Sequence, residues 1–369
     1  MNRREYLLSA FGAAATASAS GALAQIGALG QTAQRSDAVR LQDSTLVVDG
    51  LDGSALTEEY LGMLEAAGVD CLHQSMGGFG YFANVLHFCD QFSDRIVQVG
   101  SVSEIRQAQK DGKIGHLSGW QSAGVLISDG DPVLPAIKNL RAYRELGLRI
   151  CGLVYNVANA FGGGALDPAV GLTRAGHRLV EEIHAQKIVL DVGGHTAEQT
   201  SFDAIEISQG VPIICSHTNL RSLVDNPRNM TDRLIEKVAA TGGVIGLTTV
   251  NDFHARSRKD ESIPVTPQVG LETHLDQYDR LKRLVGVDHI GLGPDFMYGR
   301  KDLTVIIPEL WPPDVYSNNP PWFMVKDFET ISDLPNVTRG LMQRGWTDAE
   351  IRKVLGENWL RVYGKVWGA

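Results

Sequence analysis

From Ser44 onward the chain alternates short apolar runs with longer stretches in which apolar residues recur every three or four positions. These are the patterns of strands buried on both faces and of amphipathic helices. Eight runs read as strands: Thr45 to Asp49, Asp70 to Gln74, Ile114 to Trp120, Ile150 to Val154, Ile188 to Asp191, Pro212 to Ser216, Val244 to Thr248 and His289 to Leu292. Helical spacing marks Thr57 to Ala67, Asp131 to Leu146, Leu172 to Gln186, Glu198 to Gln209, Asp232 to Thr241 and Gln268 to Leu284. Ile96 to Gly100 is a ninth strand-like run without a place in this alternation, and the Pro-rich stretch Ile306 to Trp322 reads as a long loop before closing helices. Eight βα units in this length predict an α/β fold, a (β/α)8 TIM-like barrel in a single catalytic domain, ahead of a doubly wound open sheet.

The first segment follows neither period. Arg3 and Arg4 precede an uncharged, Ala-rich run that ends at Ala22-Leu23-Ala24, the pattern of a twin-arginine signal peptide over 1–24. A linker over 25–43 and a barrel over 44–369 would follow. Export to the periplasm or an equivalent compartment is the expectation, with no stable membrane span once the signal is removed, because Gly, Ser, Thr and Ala dominate the run.

Composition narrows the partners. The 43 acidic residues outnumber the 34 Lys and Arg, a formal charge of −9, which opposes the counterion-release attraction that drives nucleic-acid binding. No strand is followed by GxGxxG or GxxxxGK[ST], so neither a dinucleotide nor a nucleoside triphosphate is indicated. The four cysteines lack CxxC spacing and read as buried small hydrophobes. A small-molecule substrate remains, and a homodimer is left open.

Barrel enzymes carry their chemistry at the C-terminal strand ends. Asp49, Leu51 and Asp52 follow the first expected strand, His73 and Gln74 close or follow the second, Gln121 follows the third, and Tyr155 and Asn156 the fourth. His195 and His217 stand at equivalent points of the fifth and sixth units, and Asp295 follows the eighth. Two imidazoles and a carboxylate brought to one barrel mouth are donors that Zn2+ accepts.

At these residues the sequence resembles the membrane (renal) dipeptidase family, zinc hydrolases related to the amidohydrolases. The likeness runs from about Thr45 to Tyr363. It rests on Leu146-Gly147-Leu148-Arg149, Gly171-Leu172-Thr173, Ser216-His217-Thr218-Asn219, and Pro227-Arg228-Asn229-Met230-Thr231-Asp232. Gly242-Gly243-Val244-Ile245-Gly246, the run Gly286 to Phe296 and Gly356-Glu357-Asn358-Trp359 complete it. The resemblance implies a barrel with a metal site at its mouth.

The departures from the family are specific. Leu51-Asp52-Gly53 stands where the family has His-x-Asp, Gln121 replaces a bridging Glu, Tyr155 replaces a His, and one extra Gly precedes His195. An ordinary binuclear centre is therefore not expected. At most one Zn2+ per chain would be held by His195, His217 and the Gln121 carbonyl oxygen. The resemblance makes Asp295 the general base, Tyr155 an oxyanion donor and Arg228 the anchor of a substrate carboxylate, with Asn156 beside the substrate. The implied function is a metal-dependent hydrolase acting on a small amide such as a dipeptide or an N-acyl amino acid. The alternatives are a barrel enzyme running another reaction and a non-catalytic exported binding protein.

Overall fold

The computed structural model describes residues 37–75, 77–127, 132–255, 267–300 and 323–368. The expected signal segment and the Pro-rich stretch Ile306 to Trp322 lie outside the described residues, as does the linker up to residue 36. The rest of that linker, 37–43, is helical and buries Ala38 and Leu41, so this part packs on the domain.

Nine strands are present among the described residues: β1 (Val48–Asp52), β2 (Cys71–Ser75), β3 (Ile96–Gln98), β4 (Ile114–Trp120), β5 (Leu148–Gly152), β6 (Val189–Asp191), β7 (Cys215–Thr218), β8 (Ile245–Leu247) and β9 (Ile290–Leu292). All pairings between them are parallel, in the orders β1-β2-β4-β5-β6 and β7-β8-β9. Single parallel bridges, Asp191 to Ile214 and Asp52 to Phe296, join the two arcs into a closed ring. The expected eight-stranded barrel is thus formed. The unplaced run is β3, which pairs with Ile114 to His116 while β5 pairs with Ser118 to Trp120. β2 pairs with Gly115 to Gly119 of β4, so β3 and β5 share its other edge, one at each end.

Strand limits moved in ways that matter for the site. β1 begins three residues later than expected and extends through Asp52, which puts Asp49, Leu51 and Asp52 within the strand. β7 likewise takes in His217. Most expected helices appear within two or three residues of their expected ends. Thr57, Thr173 and Thr231 start theirs as N-caps, each hydroxyl accepting from the backbone N–H three residues on. Asp131 to Leu146 is two helices, Val133–Ile137 and Leu140–Glu145, separated where Lys138 and Asn139 bond back only three residues. Phe79–Gln91 and Val102–Lys110 are helices that the pattern did not mark. The first opens among Gly77, Gly78 and Gly80, and the second buries only Ile105 and Ala108.

Val48, Cys71, Leu117, Ile150, Val189, Ile214 and Val244 form a buried layer inside the ring, closed by Trp359 and Tyr363 of the helix Asn358–Trp367. Trp359 donates its indole N–H to the Leu292 carbonyl at 3.1 Å. A β-carbon on Gly50 or Gly291 would stand 2.4 or 2.5 Å from this ring, so glycine there is what lets the indole enter. Three cysteines are buried and the fourth is half-buried, all four free, as expected of small hydrophobes.

Candidate active site

β6 ends on a carboxylate that organises its neighbour. Asp191 accepts from the backbone N–H groups of Gly193 (2.7 Å) and Ser216 (2.9 Å), and from the Ser216 hydroxyl at 2.5 Å. With its proton committed to Asp191, Ser216 Oγ serves as acceptor for His217 Nδ1–H at 2.8 Å. The lone pair of His217 is thereby fixed on Nε2, which has no hydrogen-bond partner among the described residues.

His195 reaches the same tautomer by another route. Arg228 donates Nη2–H to His195 Nε2 at 3.2 Å, so Nδ1 carries the proton and donates to Asn156 Oδ1 at 2.7 Å. The two imidazole centroids are 4.8 Å apart, and the Tyr155 ring stacks on His195 at 3.9 Å. Burial pushes both histidines well below the ordinary imidazole range, with the Arg228 charge as the next cause. Both are neutral at neutral pH.

Asp295 faces this pair after β9. Its Oδ2 lies 4.0 Å from His217 Nε2, and its buried Oδ1 has no hydrogen-bond partner among the described residues. Burial raises its carboxyl to about 7, against the lowering effect of Arg228 and with a smaller push from Asp52. Asp295 and Asn156 are both non-glycine residues with positive φ, 65° and 40°, a conformation held only where surrounding structure imposes it.

The adjoining strands β1 and β2 carry three further buried groups. Asp52 accepts from Ser54 N–H at 2.6 Å and from the Tyr60 hydroxyl, and burial lifts its carboxyl to about 6. Asp49 is held well above the carboxylate range by burial, then by Asp52 and Asp295. His73 directs Nδ1–H to the Gly50 carbonyl at 2.5 Å, and burial lowers it to about 4.

The structure therefore brings together Tyr155, Asn156, His195, His217, Arg228 and Asp295. Gln121 stands half-buried just beyond β4, and no hydrogen bond or ring contact among the described residues joins it to His195 or His217. The sequence reading missed Asp191 and Ser216, which orient His217. Their signal was a carboxylate ending an apolar strand and a hydroxyl immediately before the histidine.

A family profile described as "Membrane dipeptidase (Peptidase family M19)" matches residues 83–304 and 322–368. The chain belongs to this family. It is 28% identical over 275 residues to a Klebsiella pneumoniae protein described as "Uncharacterized protein in pqqA 5'region", covering 72% of this chain and 88% of the other. An amidohydrolase from Pseudomonas aeruginosa shares 27% identity with a TM-score of 0.78, over 90% of this chain and 99% of that one. The probable dipeptidase PvdM from Pseudomonas aeruginosa, 18% identical with a TM-score of 0.73 over 91% and 99%, shares the fold. This M19 chain is accordingly a dipeptidase-like hydrolase, and membership in a metallopeptidase family makes a metal cofactor its starting expectation.

The residues present do not fit that expectation as placed. Among the described residues no three His, Cys, Asp or Glu side chains are grouped so as to hold a metal ion. Of the two inward imidazole lone pairs, that of His195 already accepts a guanidinium N–H. Leu51 and Gly53 at the M19 His-x-Asp positions supply no ligand side chain.

Proposed function

We propose that this M19 hydrolase cleaves a small amide that carries a free carboxylate, a dipeptide or an N-acyl amino acid, with Asp295 as general base. The observation that carries this reading is the buried Asp295 carboxyl, poised near 7, whose Oδ2 lies 4.0 Å from His217 Nε2 and whose Oδ1 has no hydrogen-bond partner among the described residues. A general base works best when its pKa is close to the working pH. The attacking water gives its proton to Asp295, and the same carboxyl returns that proton to the leaving nitrogen. Neutral His217 offers Nε2 as a second acceptor that orients the water. Tyr155, stacked on His195, supplies the phenolic donor for the developing oxyanion. Arg228 contributes the positive charge that draws the substrate carboxylate, while Asn156 fixes His195 through Nδ1. Zinc, where present, is proposed not to exceed one ion per chain, given Leu51, Gly53 and Gln121.

Turnover of a panel of dipeptides and N-acyl amino acids by the wild type, lost in Asp295→Asn, is the expected result. Equal binding of a panel member by both proteins with turnover by neither would overturn the hydrolytic assignment. We also assign the chain to an exported compartment on the strength of Arg3, Arg4 and the run to Ala24. No helix among the described residues is long and apolar enough to cross a membrane. Replacing both arginines by lysine should retain the protein in the cytoplasm, and unchanged export would refute that assignment.

A further inference from the structure

We propose that the guanidinium of Arg228 takes the place of a metal ion at His195, so that this member of the family carries its site cation within the chain and holds no metal at His195 and His217. Arg228 is only 2% exposed. Its Nη2 meets the Nε2 lone pair of His195 at 3.2 Å, and its Nε donates to the Gly194 carbonyl at 2.8 Å. The guanidinium lies over the Phe253 ring at 4.8 Å, a contact that favours a cation. Backbone bonds fix the residue from behind, with Arg228 N–H donating to Asn226 Oδ1 at 2.9 Å and Arg228 O accepting from Thr218 Oγ1 at 3.0 Å.

The turn before His195 is shaped to this arrangement. A β-carbon on Gly194 would stand 2.5 Å from the Arg228 carbonyl oxygen, so only glycine lets the two segments approach. Gly194 N–H also donates to the His217 carbonyl at 3.0 Å, which ties the Arg228 cradle to the second histidine. The Gly193-Gly194 pair, where one glycine exceeds the family pattern, is thus the segment whose carbonyl clamps the guanidinium. A divalent ion between the two imidazoles would have to displace a hydrogen bond and sit against this fixed positive charge. The ligand side chains that the family pattern carries after the first strand and after β4 are replaced by Leu51, Gly53 and Gln121, and the first-strand carboxylate Asp52 is engaged by Ser54 and Tyr60. Arg228 is therefore the cation that the neutral histidines and Asp295 surround.

The test reads metal and spectrum, not turnover, and so stands apart from the substrate assignment. The full chain is loaded with Co2+ or Zn2+, dialysed, and assayed by elemental analysis and visible absorption. The wild type is expected to retain no stoichiometric metal and to show no cobalt d–d band. Arg228→Ala and Arg228→Gln free His195 Nε2, and at least one of them should acquire a cobalt ion with a visible band that a further His195→Ala change removes. Arg228→Gln keeps a donor for the Gly194 carbonyl and serves if the alanine variant does not fold. A wild type that holds one ion per chain, lost in His195→Ala, would overturn the proposal. So would folded Arg228 variants that bind no more metal than the wild type.

Discussion

On the β1 and β2 side of the barrel, each buried polar group spends at least one atom on the adjoining chain. Asp52 is satisfied by Ser54 and Tyr60, while Asp49 accepts from Leu51 N–H at 3.1 Å and His73 bonds the Gly50 carbonyl through Nδ1; Asp49 Oδ2 and His73 Nε2 keep no hydrogen-bond partner among the described residues, the latter set against Gly119. On the β6, β7 and β9 side the same kinds of group use the chain only as a back support. His195 and His217 each spend Nδ1 on a neighbour and present Nε2 inward, towards Arg228 and Asp295. The difference lies in what the remaining atoms face: His73 Nε2 is set against the Gly119 backbone, whereas Nε2 of His195 and His217 look towards Arg228 and Asp295, where a ligand or a proton can be exchanged.

The sharpest way to break this comparison is to remove the proton acceptor from the second half. Asp295→Asn should lower kcat by roughly 10²- to 10⁴-fold while the fold persists, measured as turnover beside a thermal melt. A loss below tenfold would place the base elsewhere, with Asp49 as the next residue to test. In the wild type, kcat/KM should rise with pH through about 7, because the base form of Asp295 accumulates as its proton leaves. Tyr155→Phe keeps the ring stacked on His195 and deletes only the hydroxyl. A fall in kcat of about 10²-fold with little change in KM is expected of an oxyanion donor. An unchanged kcat would reduce Tyr155 to packing.

In the first half the same kind of probe should register in stability. Gly119→Ala would place a β-carbon 2.0 Å from His73 Nε2 and should cost about 1–3 kcal/mol by denaturant titration. The buried Asp52 binds its proton more tightly folded than unfolded, its folded value being about 6 against an ordinary 3.8. Its contribution to stability is therefore greatest below about pH 4 and declines as pH rises through 6, by up to about 1.4 kcal/mol per pH unit. Asp52→Asn should flatten that part of the stability curve. An unaltered slope would show that this carboxyl titrates as it does in the unfolded chain.

The barrel was legible because its signal is repetitive: each βα unit announces itself by a change of period, and an error of three residues at Thr45 does not alter the count. The helix Phe79–Gln91 escaped notice because glycines at 77, 78 and 80 hid its start. The site was legible at His195, His217 and Asp295 because strand ends converge in this fold. What chain order could not reveal was the occupant of His195 Nε2. Arg228 lies 33 residues further on, and it meets His195 through a turn geometry set by Gly194. Gln121 shows the converse, a residue at the right end of the right strand that makes no hydrogen bond to either histidine among the described residues.

The indole of Trp359 also has a bearing on time. The ring of strands begins at β1 near the start of the domain, yet the side chain that fills its floor is made some three hundred residues later. Gly50 and Gly291 leave the space that this indole occupies. During synthesis the floor of the barrel therefore cannot be filled until the helix Asn358–Trp367 has been made. The last turns of helix decide when this domain can become a finished molecule.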